Sequence, residues 1–308
     1  MTRSSLHPRP AFLLLVAALL ATLQLHAAAS AWESGLAAWR AHHEQVLAAP
    51  DGWLTLVGLD WLEPGDNSFG AAPDNRIHIG APAAAHLGIL QLRGDQVRLL
   101  PPPGGFPASL RVAGQPAHEV LLNASSGQSV ALTDGSLTFL VIHRGNMFAL
   151  RIKDTDSPVR THFHGLHWYS PDPRYRVVAR WIPFAPPHTE AIPTIIGTTL
   201  KLPVPGAAEF TLDGRSFRLE PVLETPGSHQ LFFILRDTTS HTTTYGAGRF
   251  LYTDFPDRGL DQPGHLVLDF NRLENPPCAY TPWATCPLPP LQNRLAVALP
   301  AGEKRYSH

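Results

Sequence analysis

Apolar residues recur along this chain in two rhythms. In SAWESGLAAWRAHHEQVLAAP, Trp32, Leu36, Trp39 and Val46 or Leu47 return at helical spacing, and Pro50, Asp51 and Gly52 close the segment. This predicts one amphipathic helix over residues 30–50. Past Gly52 the rhythm shortens to runs of alternating apolar residues broken by turn formers. WLTLVGLDWL (53–62), NRIHIG (75–80), GILQLRGDQVRLL (88–100), SLRVAGQ (109–115), HEVLLN (118–123) and SLTFLVIHRG (136–145) have the length and spacing of sandwich strands.

A second series starts near Phe148. It comprises FALRIKD (148–154), YRVVARWIPF (175–184), TIIGTTLKLPV (194–204), AEFTLDGRSFRLEPVLE (208–224), LFFILRD (231–237), GRFLYTDF (248–255) and HLVLDFN (265–271). Gly94-Asp95, Asp134-Gly135 and Asp213-Gly214 read as hairpin turns, because these residues tolerate the backbone that tight turns demand. SPDP and PPH, near 170 and 186, read as loops. The expected fold class is all-β: a β-sandwich over 51–150, packed on a C-terminal barrel-like or sandwich domain over 151–308. A soft boundary falls between Arg144 and Asp156.

The ends and the composition narrow the setting. Residues 1–29 carry a basic start at Arg3 and Arg9, an apolar run AFLLLVAALLATLQL (11–25) and Ala27-Ala28-Ala29, the order of an export signal. The apolar run is short for a membrane span. A periplasmic or secreted location without stable membrane insertion is therefore expected. Without that segment, 22 basic residues stand against 25 acidic, a net −3. Such a balance carries no electrostatic footprint for nucleic acid. High proline and glycine content, with 31 and 24 residues, fits a turn-rich β chain.

The chain resembles a bacterial and archaeal family known as domain of unknown function 1684. GWLTLVGLDWLEPGDNSFG (52–70), SLTFLVIHRGNMFALRIKD (136–154), TYGAGRFLY (244–252), LDFNRLENPPCAYTPWATCPLPPLQNRL (268–295) and AGEK (301–304) carry the resemblance. It implies no activity. Residues 66–143 resemble, more weakly, a forkhead-associated sandwich. The phosphate-reading residues of that fold are missing: Ala71 follows Phe69-Gly70, the Pro82–His86 loop has neither serine nor arginine, and Ala113-Gly114 stands where that fold has asparagine-glycine.

Several clusters invite chemistry. Read as a strand, HLVLDFNR puts Leu266, Leu268 and Phe270 on one face and Val267, Asp269 and Asn271 on the other. Arg249 and Arg272 are then candidate partners for Asp269 or for a substrate carboxylate. Tyr245, Trp283, Asn293 and Arg294 complete a candidate pocket in the C-terminal half. GAG before Arg249 lacks the third glycine and the strand-to-helix context of a dinucleotide site, so no cofactor is expected. His162 and His164 would face one way in a strand, a weak zinc or iron signal without a carboxylate at familiar spacing. No nucleophile elbow, His-Glu-x-x-His or phosphate-binding glycine loop occurs.

NPPCAYTPWATCPLPP (275–290) concentrates six prolines and both cysteines of the chain. Cys278 and Cys286 are too far apart for a redox pair, and zinc would need further ligands. In an exported protein they form a disulfide that holds a rigid strap. Two functional readings remain open. In one, a C-terminal pocket roofed by Tyr280 and Trp283 binds an unknown small molecule, with acid–base chemistry. In the other, the strap presents a surface of a non-catalytic cell-envelope protein to a protein or glycan partner.

Overall fold

The computed structural model describes residues 30–80, 82–122 and 129–307. The expected export signal, residues 1–29, lies outside them. The chain divides into two compact units, residues 1–44 and 45–308. Residues 30–47 are helical, and Trp39 stacks on His43 four residues on, at 5.5 Å. Of Val46 and Leu47, the pair left open by the spacing, Leu47 is buried and Val46 is exposed.

The rest is all-β. The first eleven strands are β1 (Leu56–Trp61), β2 (Gly65–Gly70), β3 (Ile77–His78), β4 (Gly88–Arg93), β5 (Gln96–Leu100), β6 (Arg111–Val112), β7 (Gln115–Pro116), β8 (Val120–Leu121), β9 (Leu132–Asp134), β10 (Leu137–Arg144) and β11 (Met147–Asp154). They form two sheets, ordered β1-β11-β10-β9-β6-β7 and β3-β2-β4-β5-β8. Alternation decides which face each strand buries. Leu90, Leu92, Val97 and Leu99 from one sheet meet Leu137, Phe139, Val141, Leu150 and Ile152 from the other in one core. FALRIKD, expected to open the second series, instead closes the first, because β11 pairs with β1 and β10.

Six strands follow: β12 (Arg176–Pro193), β13 (Thr199–Leu212), β14 (Arg215–Leu219), β15 (Gln230–Leu235), β16 (Arg249–Asp254) and β17 (Gly264–Asp269). The order β14-β13-β12-β17 makes a four-stranded sheet, and β15 and β16 make a hairpin. The expected loop at PPH is absorbed into β12 as an irregularity: pairing with β13 jumps from Pro183–Gly206 to His188–Val204. Proline has no N–H to give a ladder, so the strand bulges there instead of pairing.

Between sheet and hairpin lies a second core that includes Trp181, Phe210, Leu219, Phe233, Leu235, Leu268 and Phe270. The arrangement is layered, which is the sandwich alternative of the expectation. The other face of the hairpin, with Phe232, Ile234 and Phe250, packs against Ala284 and Cys286 of the proline-rich strap. Two single bridges then extend the hairpin sideways. Phe250 pairs with Glu274, and Glu303 pairs with Trp168; the N–H of Glu303 donates to the Leu273 carbonyl between them.

The turns follow their residues. Asp213 and Gly214, both at positive φ, join β13 to β14, as a type I′ hairpin requires. The β6–β7 turn places Ala113 at φ 48° and Gly114 at φ 81°. Alanine in the left-handed region costs about 1–2 kcal/mol, and Ala113 is exposed. Ala113→Asn is therefore expected to raise the unfolding free energy by about 0.5–1 kcal/mol. Chemical denaturation checks this, and an unchanged midpoint would mean the turn carries no strain.

Candidate functional site

The C-terminal half is organised around one arginine. Arg249 opens β16 and is fully buried. Its Nη2 donates to Asp237 Oδ2 at 2.8 Å and to the Leu299 carbonyl at 2.9 Å. Its Nη1 donates to the carbonyls of Ala301 and Glu303. A planar fork with several fixed donors can reach all four acceptors together, which an ammonium could not. Asp237 is equally occupied. Its Oδ1 accepts from Thr239 N, Thr239 Oγ1 and Leu299 N. Asp237, not Asp269, is thus the partner of Arg249, because the Thr-rich turn that Asp237 caps lies directly beside β16.

The strand expected through Asn271 ends at Asp269. The Asp269 carboxylate accepts from Asn271 N and caps a 3-10 turn, Phe270–Arg272, so Val267, Asp269 and Asn271 do not share one strand face. Short polar side chains that bond the backbone two residues ahead favour such turns over strands. Asn271 pairs in both directions with the backbone of Asp172, at 2.9 Å each. Arg176 Nε stands 3.8 Å from Asp269 Oδ2. Arg272 is the last residue of the turn and is half-buried.

The strap is tied down along its length. Cys278 and Cys286 are disulfide-bonded, with Cα atoms 6.2 Å apart. Closing so short a loop stabilises by on the order of 2–3 kcal/mol in the chain-entropy view. Tyr245 donates its hydroxyl to the Cys278 carbonyl at 3.0 Å. Thr281 Oγ1 donates to the Leu56 carbonyl at 3.0 Å. Asn293 accepts from Glu220 N and donates to the Glu220 and Ile234 carbonyls. Arg294 Nε donates to the Pro289 carbonyl at 3.2 Å. Trp283 stands 40% exposed on the outer surface. Asn271, Asn293 and the two Nη atoms of Arg249 thus hold backbone, while the buried Nε of Arg249 meets no acceptor.

THFHGLHWY forms no strand at its start. Ser157-Pro158 starts a one-turn helix, Pro158–Thr161, and His162 is its exposed C-cap. The strand geometry that would have aligned His162 and His164 is therefore absent. Among the described residues no group of three or more His, Cys, Asp or Glu side chains is placed to hold a metal.

What the strap covers is a carboxyl–tyrosine cluster. Glu303 is fully buried. Its Oε2 accepts from Asn275 N at 2.8 Å, its Oε1 from Asn275 Nδ2 at 2.6 Å, and Tyr280 donates its hydroxyl at 2.7 Å. Burial pushes the Glu303 carboxyl up to about 7 against the pull of these donors. Burial and the neighbouring Glu303 push Glu274 up to about 8. Burial, together with the Glu303 charge, raises the Tyr280 hydroxyl well above its ordinary value. Tyr306 meets the Tyr280 ring edge-on at 5.1 Å.

This cluster continues to the surface. Tyr252 stacks on Phe232 at 4.6 Å, and the charges of Glu224 and Glu274 both act on its hydroxyl. Burial is the larger cause that raises it. Burial also raises the Glu224 carboxyl, which hydrogen-bonds Tyr252. Tyr252 and Glu224 line an open cleft of ≈ 310 Å³ with Ser228, His229, Gln230 and Phe232. Protonatable groups thus run inward from solvent: Glu224, Tyr252, Glu274, Glu303, Tyr280. Of these, Glu274 and Glu303 are held partly protonated near neutrality, so they can donate hydrogen bonds and exchange protons.

None of Glu224, Tyr252, Glu274 and Glu303 was among the candidate pocket residues. Glu274 and Glu303 stand inside LENPP and AGEK, two of the segments that carry the family resemblance. That placement was the available signal.

A family model described as protein of unknown function (DUF1684) matches residues 161–304. The match contains the whole cluster apart from Tyr306; the resembling stretches 52–70 and 136–154 lie outside it. The solution NMR structure of the uncharacterized protein from gene locus rrnAC0354 of Haloarcula marismortui is similar at 34% identity. The similarity covers 47% of this chain and 78% of that one, with a TM-score of 0.41. No functionally curated protein matches the chain.

Two outcomes are expected from this geometry. Arg249→Met leaves Asp237 buried without its charge partner and should cost about 3–5 kcal/mol of stability; a loss under about 1 kcal/mol in denaturant titration would mean the arginine is not a tie. The second concerns pH. The folded pKa values of Glu274 and Glu303 lie above the ordinary glutamate value of 4.5. Each group's contribution is complete below that ordinary value and is lost as pH rises through the folded value. Melting temperature should therefore decline between about pH 5 and about pH 8, and Glu274→Gln should flatten the upper part of that decline.

Proposed function

The chain belongs to the DUF1684 family of unknown function, and on that footing we propose that it is an exported protein that binds a small polar ligand at the Glu224–Tyr252 cleft. Glu274, behind Tyr252, exchanges a proton with the bound molecule. The observation that supports this reading is the open cleft backed by a carboxyl raised to about 8. A carboxyl that stays protonated at neutral pH donates a hydrogen bond or a proton where an ordinary glutamate cannot. Pre-organisation comes from the strap, whose disulfide and prolines hold the roof of the cluster without help from the ligand. The disulfide suits an oxidising compartment, in line with the signal-like order of residues 1–29.

A second reading has its own observation. Trp283 at 40% exposure and Leu291 at 77% put large apolar side chains on the outside of the strap region. These suit a protein or glycan partner.

Native mass spectrometry and ligand-observed NMR on the full chain separate the two. A bound small molecule, displaced at least about tenfold more easily in Tyr252→Phe and Glu274→Gln, supports the cleft. Tyr252→Phe keeps the ring stack and removes only the hydroxyl, so a merely structural role would leave binding unchanged. Equal binding in both variants, or no bound molecule from any polar fragment set, would sink the cleft reading. Loss of partner capture in Trp283→Ala would then favour the surface.

A further inference from the structure

The face of the first sheet turned away from its own core carries the cationic side chains of Arg144, Arg151 and Lys153, of which Lys153 feels the charge of Asp51. On β11, Leu150 and Ile152 point into the core, so Arg151 and Lys153 share the opposite face. Leu140 of β10 lies directly across from Arg151, and Arg144, four residues further along β10, falls on the same face. Arg144 is held in place: its Nε donates to Thr285 Oγ1 of the strap at 2.9 Å and its Nη1 to the His143 carbonyl at 2.8 Å. Lys153 donates to the Asp51 carbonyl at 2.6 Å.

Arg249 leaves one shielded nitrogen, its Nε, without an acceptor, and Arg151 leaves two. The Arg151 guanidinium lies 5.3 Å from the Trp53 ring centroid. Its Nε and Nη2 are shielded from solvent, and neither meets a hydrogen-bond partner. No carboxylate stands in ion-pair range of Arg144 or Arg151 among the described residues. Burial, and then the Arg144 charge, hold Arg151 down to about 10. Two guanidinium groups that repel each other, one immobilised by a threonine and the other short of acceptors, cost stability unless something outside the chain neutralises them.

We propose that Arg144 and Arg151, with Lys153 at the margin and Trp53 as an aromatic wall, form a binding site for a phosphate-type dianion. The Nε and Nη2 hydrogens of an arginine point in parallel from one edge, the edge that meets two oxygens of an oxyanion at once. A dianion matches two guanidinium charges, where a single carboxylate would leave one unpaired. The Trp53 ring, 5.3 Å from the guanidinium carbon, offers a flat surface to an organic substituent. This site is separate from the Glu224–Tyr252 cleft, and its test does not depend on that reading.

The measurement is the thermal midpoint of the full chain titrated with sodium phosphate against sodium chloride at matched ionic strength. Parallel arms use phenyl phosphate, and vesicles of phosphatidylcholine with and without phosphatidic acid. A saturable rise in midpoint with phosphate over chloride is expected, with apparent affinity weakened at least about tenfold in Arg151→Gln and in Arg144→Gln. Arg98→Gln, on an exposed strand position, should behave as wild type. A response only to the soluble phosphates assigns the site to a free ligand; a response only to phosphatidic acid vesicles assigns it to a lipid headgroup. No response in any arm, or a response that survives both substitutions, overturns the site. If Arg151→Gln fails to fold, Arg144→Gln carries the test, because the Arg144 side chain is only half-buried.

Discussion

The Arg249 guanidinium, buried on β16 and bonded to Asp237 and to three carbonyls of the last ten residues, is the constraint on which the C-terminal half depends. It adds three carbonyl ties to the 299–303 segment, which is also held by Leu299 N on Asp237 and Glu303 N on Leu273. With these ties, Ala301 to Glu303 are fixed as an added edge, and the Glu303 side chain is delivered beneath the strap. Gly302 is the companion condition. It sits at φ 75°, and a Cβ there would come within 2.5 Å of the Leu273 carbonyl oxygen. The close approach that brings Glu303 to Asn275 thus needs both a forked donor at 249 and glycine at 302.

The cluster at the end of this chain of constraints is set by two opposed effects. Burial disfavours the charged carboxyl, while Asn275 and Tyr280 favour it. Burial wins, and burial followed by the Glu303 charge raises Glu274 as well. Carboxyls arranged this way are costly to keep in a fold, and perturbed titration gathers at functional sites as well as in structural networks. Their run from a buried end to an open cleft is what separates this cluster from the Arg249–Asp237 pair, which is fully buried and bonded to backbone.

Much of the fold was legible because period-two alternation needs no long-range information. GILQLR alternates buried and half-buried residues as its pattern predicts, and Asp213-Gly214 takes the backbone that its residues suit. Where local polar groups competed with the strand, the pattern misled. Asp269 stops β17 by capping a turn, and PPH bulges within β12 without ending it. The candidate site was legible only in part. Arg249, Asn271 and Asn293 stand among the candidate pocket residues, and all three are buried. Whether such residues hold backbone or ligand depends on which carbonyls arrive from distant segments. Glu274 and Glu303 meet through Arg249, Gly302 and Asn275, a convergence that no spacing rule contains.

The central claim is that carboxyls at this cluster remain protonated near neutral pH. Its most direct test is a carboxyl carbon NMR titration of the full chain with labelled glutamate, assigned through Glu274→Gln and Glu303→Gln. The account predicts two resonances with midpoints near or above neutrality, each lost in its own variant. If every glutamate titrates in the ordinary range around 4.5, the cluster is an ionised structural network and the proton-exchanging cleft is contradicted.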